Sequence, residues 1–142
     1  MNTLNKSSIA KLSTVNMRLQ VIVTAAASAL ADSKIFFIVT QGLRTKEEQA
    51  ELYAQGRTKP GKIVTWTLNS NHLSGLAVDL APMIDGKLNW DEDGKLGAWT
   101  VIATAMKNAA TDMGEIITWG GDWEGKKRDR PHFELSSAQE IK

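Results

Sequence analysis

The chain has 142 residues, enough for one domain with a hydrophobic core. Its composition, 42% hydrophobic and 23% charged, is that of an ordinary globular protein, and a net charge of +1 excludes a global field that would gather nucleic acid. The absence of cysteine excludes disulfides, thiolate metal sites and a cysteine nucleophile, and leaves the compartment open.

The first twenty residues are polar, with Lys6, Lys11 and Arg18 spread through them. The apolar run over 21–31 is shorter than the roughly 20 residues a membrane span needs, and it lacks the flanks of a signal peptide. No stable membrane association is expected. Work outside the cytoplasm would require another route out. Residues 9–31 predict one amphipathic helix facing a core, because Leu12, Val15, Leu19, Ile22, Val23, Ala26 and Leu30 recur at spacings of three and four.

Next, "IFFIVTQGLRT" begins as a strand at residue 35 and ends at Gly42. Thr45 and Glu48 form a T-x-x-E capping box that opens a helix through "KEEQAELYAQG", closed by Gly56. A short strand is predicted near 63–67, and another in "LAVDLAP", stopped by Pro82. Asp85-Gly86 and Asp93-Gly94 mark turns. The acidic residues around them lack the spacing of a calcium loop and read as a hairpin followed by a helix start. A second long helix covers 95–113, with Leu96, Trp99, Ile102, Ala103, Met106, Ala110 and Met113 on one face and Gly114 at its end. "EIITWGGDW" reads as a strand into a Gly-Gly turn, and "HFEL" as a last short strand.

The strands near 63–67, 76–81 and 84–90 lie too close for helical crossovers, so they pair antiparallel. The fold class is α+β, a mostly antiparallel sheet with helices packed on one side. The expected organisation is one domain over 1–142, with an N-terminal helix in 1–34 and a catalytic core in 35–135.

Only two histidines exist, so a histidine-based metal site must use both. A catalytic zinc takes three protein ligands, usually imidazole nitrogens and carboxylate oxygens, and keeps a fourth position open. His72 and Asp79 converge if His72 lies on an entering loop and Asp79 on the strand that follows. Asp79 stands in the apolar run "AVDLA", where a buried carboxylate needs a partner, and a metal is one. His132 has Asp129 three residues before it and Glu134 two after, on the same face of a strand. Asp129 precedes Pro131 in a segment biased toward extended geometry. A base beside a metal must be a carboxylate that is not itself a ligand, and Asp129 or Glu134 fits that role. Arg44, at the end of a strand, suits a guanidinium that grips a carboxylate or steadies an oxyanion. Each feature alone has a plainer counterpart: a structural His–Asp pair, or a surface ion pair for Arg44.

Together the motifs resemble a known family. "SNHLSGLAVDL" is similar to the S-x-H-x-x-G-x-A-x-D motif of the zinc D,D- and L,D-peptidases. "TWGGDWEGKKRDRPHFEL" resembles their closing segment, and "VTQGLRTKEEQAELYAQGR" their strand–Arg–helix element. The resemblance covers about residues 35–135 and is nearest to the phage and bacterial L-alanyl-D-glutamate peptidases.

It implies a small α+β fold shared with the hedgehog signalling domain. It implies Zn2+ held by His72, Asp79 and His132, with Asp129 as the catalytic carboxylate and Arg44 steadying substrate or oxyanion. Ser70 would shape the substrate site, and Gly75 and Ala77 would let the backbone pass close to it.

The implied function is hydrolysis of the L-Ala-D-Glu bond of the peptidoglycan stem peptide, by a monomeric phage or prophage endolysin. Such a protein waits in the host cytoplasm until a membrane pore releases it. The rivals are a D-Ala-D-Ala dipeptidase or carboxypeptidase, and a non-catalytic zinc-containing binding module. The last predicts loss of Asp129 or Arg44, and both are present. The loop before His132 is short and basic, so no calcium regulation is carried over. Its Lys126, Lys127, Arg128 and Arg130 read either as a contact for anionic wall polymer or as a solvated loop. Of Trp66, Trp90, Trp119 and Trp123, at least two are expected in the core.

Overall fold

The structure is a computed structural model that describes residues 1–65 and 70–136. Two helices stand where the apolar stripe predicts one: α1 (Lys6–Leu12) and α2 (Met17–Ala29). The stripe hides the break because Val15, inside it, is buried all the same. Asn16 makes the break by capping α2, its side chain accepting from the Arg18 N–H. The Ser13 and Thr14 hydroxyls donate back to the Ala10 and Lys11 carbonyls and close α1.

Strand β1 (Ile35–Gln41) follows, then α3 (Lys46–Ala54), whose capping box is complete: Thr45 accepts from the Glu48 N–H and Glu48 from the Thr45 N–H. A single 3-10 turn, Asn71–Ser74, leads into β2 (Ala77–Ile84), and an Asp85-Gly86 turn returns the chain as β3 (Lys87–Leu88). Helix α4 (Ala98–Asp112), β4 (Ile117–Trp119) and β5 (His132–Leu135) complete the order. Residues 63–65 are not in a strand, and the rest of the strand expected at 63–67 lies outside the described residues.

Strand β2 runs through Pro82 rather than stopping there. Pro82 pairs with Phe37 on β1, and on the other side its carbonyl accepts from Asn89 N–H. The donor that proline lacks faces this second side, where β3 ends.

The sheet is antiparallel throughout, in the order β1-β2-β5-β4, with β3 beside β2. One face carries Phe37, Val39, Val78, Leu80, Ile117, Phe133 and Leu135, which share a core with α2 and α4. Phe37 and Phe133 are fully buried, and each such side chain contributes about 1.5–3 kcal/mol. Helix α1 covers the outer edge of β1, where the Ser8 hydroxyl takes the Val39 N–H at 2.9 Å. Period-2 alternation turns Asp79, His132 and Glu134 to the opposite face.

Candidate metal centre and active site

On that opposite face Asp79 and His132 are direct cross-strand partners. His72, on the 3-10 turn, reaches over them. Its Nε2 lies 3.2 Å from Asp79 Oδ1, and His132 Nδ1 lies 3.5 Å from the same oxygen. The three donor atoms all fall within 4.8 Å of one another.

The far nitrogens of both rings are already committed. His72 Nδ1 lies 2.9 Å from the Gly42 carbonyl, which can only accept, so that nitrogen carries the hydrogen. His132 Nε2 donates to Glu134 Oε1 at 2.5 Å, and the other Glu134 oxygen accepts from Asn71 Nδ2 at 2.7 Å. The inner nitrogens, His72 Nε2 and His132 Nδ1, therefore both face Asp79, where a metal would meet them. Ligating histidines are oriented in this way at metal sites.

Charge supports the same reading. Burial would raise the Asp79 carboxyl, but hydrogen bonds from His132 and His72 hold it well below the usual carboxylate range, so it stays ionised. Burial would lower His132, yet Asp79 and Glu134 push it up to about 9. A field that favours a proton there also favours a metal cation. Two imidazoles and one carboxylate form the donor set of a catalytic zinc, so the residues present fit that ion.

The cluster opens into a cleft of about 770 Å³. Arg44 is buried in its wall. Its Nη1 donates to Gln49 Oε1 at 2.6 Å, and its Nη2 stands 3.8 Å from Asp79 Oδ2. Among the described residues Arg44 Nε is the buried side-chain atom left without a partner. Burial lowers the Arg44 pKa against the pull of Asp79, Glu48 and Asp129.

Asp129 lines the same cleft without belonging to the ligand cluster. Burial and the nearby Asp79 charge raise its pKa, which suits a carboxylate that must take and return a proton. The backbone fixes its place: Asp129 N–H donates to the Gly120 carbonyl, and its own carbonyl accepts from His132 N–H. Gly120 permits this approach, since a Cβ there would lie 2.2 Å from the Asp129 oxygen.

Arg44, Ser70, His72, Asp79, Asp129, His132 and Glu134 all line this cleft, whereas Arg130 does not, its Nη1 donating to the Glu92 carbonyl. Glu134 is tied to His132, which leaves Asp129 as the carboxylate outside the metal shell. Ser70 caps the 3-10 turn, its hydroxyl accepting from His72 N–H. Gly75 is required by its φ of 72°, for a side chain there would make only ordinary contacts.

Trp123 borders the cleft, its ring centroid 5.2 Å from that of His132. Trp119 stacks on Phe133, Trp90 is exposed, and Trp66 lies outside the described residues. Trp119 packs against the core, and with Trp66 outside the described residues the expectation of two core tryptophans among these four is not decided.

Residue-by-residue reading missed Gly42, Gln49 and Asn71. Gln49 carries a signal in retrospect, a polar residue at the inward position of a helix, fully buried and also bonded to Thr65 Oγ1. Gly42 carries none, since its need arises from a distant contact. A Cβ on it would lie 2.3 Å from the Lys11 carbonyl.

Comparison with known proteins first gives the class. The structure superposes on an L-Ala D-Glu endopeptidase of Serratia marcescens, ChiX, with a TM-score of 0.79, 31% identity, and coverage of 99% of this chain and 95% of that one. A vancomycin-resistance D,D-dipeptidase, VanXYg, matches with a TM-score of 0.55 over 85% of this chain and 50% of its own, at 20% identity, which speaks to fold alone. The fold is thus the hedgehog-like D,D-peptidase fold.

The chain belongs to the phage L-alanyl-D-glutamate peptidase family, whose model matches residues 1–136. It is 38% identical over 117 residues to the peptidoglycan L-alanyl-D-glutamate endopeptidase CwlK of Bacillus subtilis, covering 76% of this chain and 65% of that protein's length. It is 33% identical over 121 residues to the L-alanyl-D-glutamate peptidase of Escherichia phage T5, covering 83% of this chain and 79% of that one.

Proposed function

We propose that this protein is a zinc-dependent endopeptidase, one peptidase domain over residues 1–142, that cleaves the L-Ala-D-Glu bond of the peptidoglycan stem peptide. The observation that carries the reading is the convergence of His72 Nε2, His132 Nδ1 and Asp79 Oδ1, with both outer ring nitrogens already bonded. Family membership supports the choice of bond. A D,D-dipeptidase reading has only the shared fold in its favour.

His72, Asp79 and His132 would hold the ion. A bound zinc supplies Lewis acidity, which acidifies water and polarises a carbonyl. Asp129 takes a proton from the attacking water and passes it to the leaving amine. Arg44, held by Gln49 and kept charged beside Asp79, faces the negative charge that develops on the carbonyl oxygen. Ser70 keeps the His72 turn in shape at the mouth of the cleft.

The phage relative supports a lysis role, in which a monomer made in the host cytoplasm reaches the wall after release through a membrane pore. Among the described residues no helix is long and apolar enough to cross a membrane.

The test is digestion of purified peptidoglycan with mass spectrometry of the fragments, with chelator and with added zinc. New N-terminal D-glutamate that vanishes with chelator is the expected result. Released D-alanine would move the protein to the dipeptidase or carboxypeptidase reaction. Zinc bound with no product from any peptidoglycan would leave the binding-module reading.

A further inference from the structure

The cleft has one strongly cationic wall that the reaction above does not use. Lys126, Lys127 and Arg128 line it directly before Asp129 in the chain. Lys126 and Lys127 stand on a 3-10 turn, Gly125–Lys127, with Arg128 next to it. The wall is held in place at both ends. Arg128 N–H donates to the Gly125 carbonyl, Arg128 Nε donates to the Trp123 carbonyl at 3.3 Å, and the loop closes where Asp129 meets Gly120.

Two of the three carboxylates of the cleft are occupied elsewhere, and the third, Asp129, is the proton carrier. Asp79 serves His72, His132 and Arg44, and Glu134 serves His132 and Asn71. Lys127 has no hydrogen bond or ion pair among the described residues, and the Nη atoms of Arg128 have none either.

The position of this wall relative to the scissile bond follows from the proposed reaction, on which the inference rests. Asp129 delivers a proton to the leaving amine, so Asp129 and the cations beside it flank the leaving-group side. In the stem peptide that side begins with D-glutamate. Its chain continues through the side-chain carboxyl, so its α-carboxylate stays free on the carbon next to the scissile nitrogen. Substrate therefore brings an anion to this side, where Lys127 and the Nη atoms of Arg128 stand.

We propose that Lys127 and Arg128 bind the free α-carboxylate of the residue following the scissile bond. The site thereby selects stem peptides that carry D-glutamate over those in which the same position is amidated to D-isoglutamine. An α-carboxamide has the same shape but no charge, so it forfeits the charge-assisted part of the contact.

The experiment compares N-acetyl-L-alanyl-γ-D-glutamyl-L-lysine with its α-carboxamide, using zinc-loaded protein. Wild type is expected to prefer the acid by about ten- to a hundredfold in kcat/KM, the range for a hydrogen bond to a charged group. Lys127→Gln with Arg128→Gln is expected to cut the acid-to-amide ratio about tenfold, chiefly through KM, with zinc content unchanged. Lys127→Glu with Arg128→Glu should reverse the preference, and rising NaCl should erode it in wild type.

Equal cleavage of acid and amide by wild type, or an equal loss on both in the variants, would overturn the inference and leave the peptidase reading standing. Cleavage of neither peptide by wild type, together with no digestion of peptidoglycan, would overturn both.

Discussion

His132 stands on β5, where the ladder sets it opposite Asp79, whereas His72 stands on a single turn between Ser70 and Gly75, where no ladder reaches it. The first is oriented by a carboxylate two residues along its own strand. The second is oriented by the Gly42 carbonyl, thirty residues back. Gly42 is in turn seated against the end of α1. The Thr14 hydroxyl accepts from Leu43 N–H, and the Gly75 carbonyl accepts from Asn16 N–H, so the break between α1 and α2 braces both flanks of His72. One proposed ligand is thus placed by local periodicity and the other by long-range packing. The same job, aiming one lone pair, is done by two kinds of structure.

The largest effect separates the cluster from the carboxylate beside it. Asp79→Ala or His132→Ala is expected to abolish both zinc retention and turnover. Asp129→Asn should keep zinc and lower kcat by about 10²–10⁴-fold. Metal analysis of purified variants alongside peptide hydrolysis checks this, and full activity in Asp129→Asn would remove Asp129 from the reaction. The raised Asp129 pKa also predicts an acid limb in kcat/KM. The base form is lost as pH falls through that pKa, so activity falls on the acid side.

Next comes the long-range side of the comparison. Gly42→Ala, distant in sequence from every ligand, is expected to weaken zinc binding about 10–100-fold by displacing the carbonyl that aims His72. Competition with a chromogenic chelator measures it. Affinity equal to wild type would mean that the brace tolerates the added methyl.

Glu134→Gln tests the local side. The amide keeps a hydrogen-bond acceptor for His132 but loses the charge, so zinc affinity should fall about tenfold. It should also change the metal-free protein. His132 at about 9, above its ordinary 6.5, contributes stability that is full below pH 6.5 and lost as pH rises through 9. Chelated wild type should therefore melt lower at about pH 10 than at neutral pH, and Glu134→Gln should narrow that difference.

The smallest effect is a control outside the comparison. Thr45→Ala removes the α3 cap and should cost about 1 kcal/mol of stability, read from denaturant melts, with zinc affinity unchanged.

The same contrast explains what could be read without coordinates. The alternation in "HFEL" placed His132 and Glu134 on one face, and T-x-x-E marked the start of α3, because these signals are local. The break at Ser13–Asn16 was not legible, since the apolar period continues through it at Val15. Pro82 misled because a strand tolerates proline wherever its missing donor faces a gap in the ladder. Gly42 and Asn71 escaped notice because each matters through a partner remote in sequence, and Gln49 because its burial beside Arg44 arises only in the fold. The three motifs together, matched to a family, did what spacing alone could not.

The close fit of Gly42 against Lys11 has a consequence for how this chain can be recombined. An exchange that takes the first helices from one relative and the catalytic core from another crosses a contact with no spare volume. Residues 11–16 and residues 42–43 and 75 must travel as a matched set. A chimaera that separates them can keep His72, Asp79 and His132 and still lose the aim of the His72 ring.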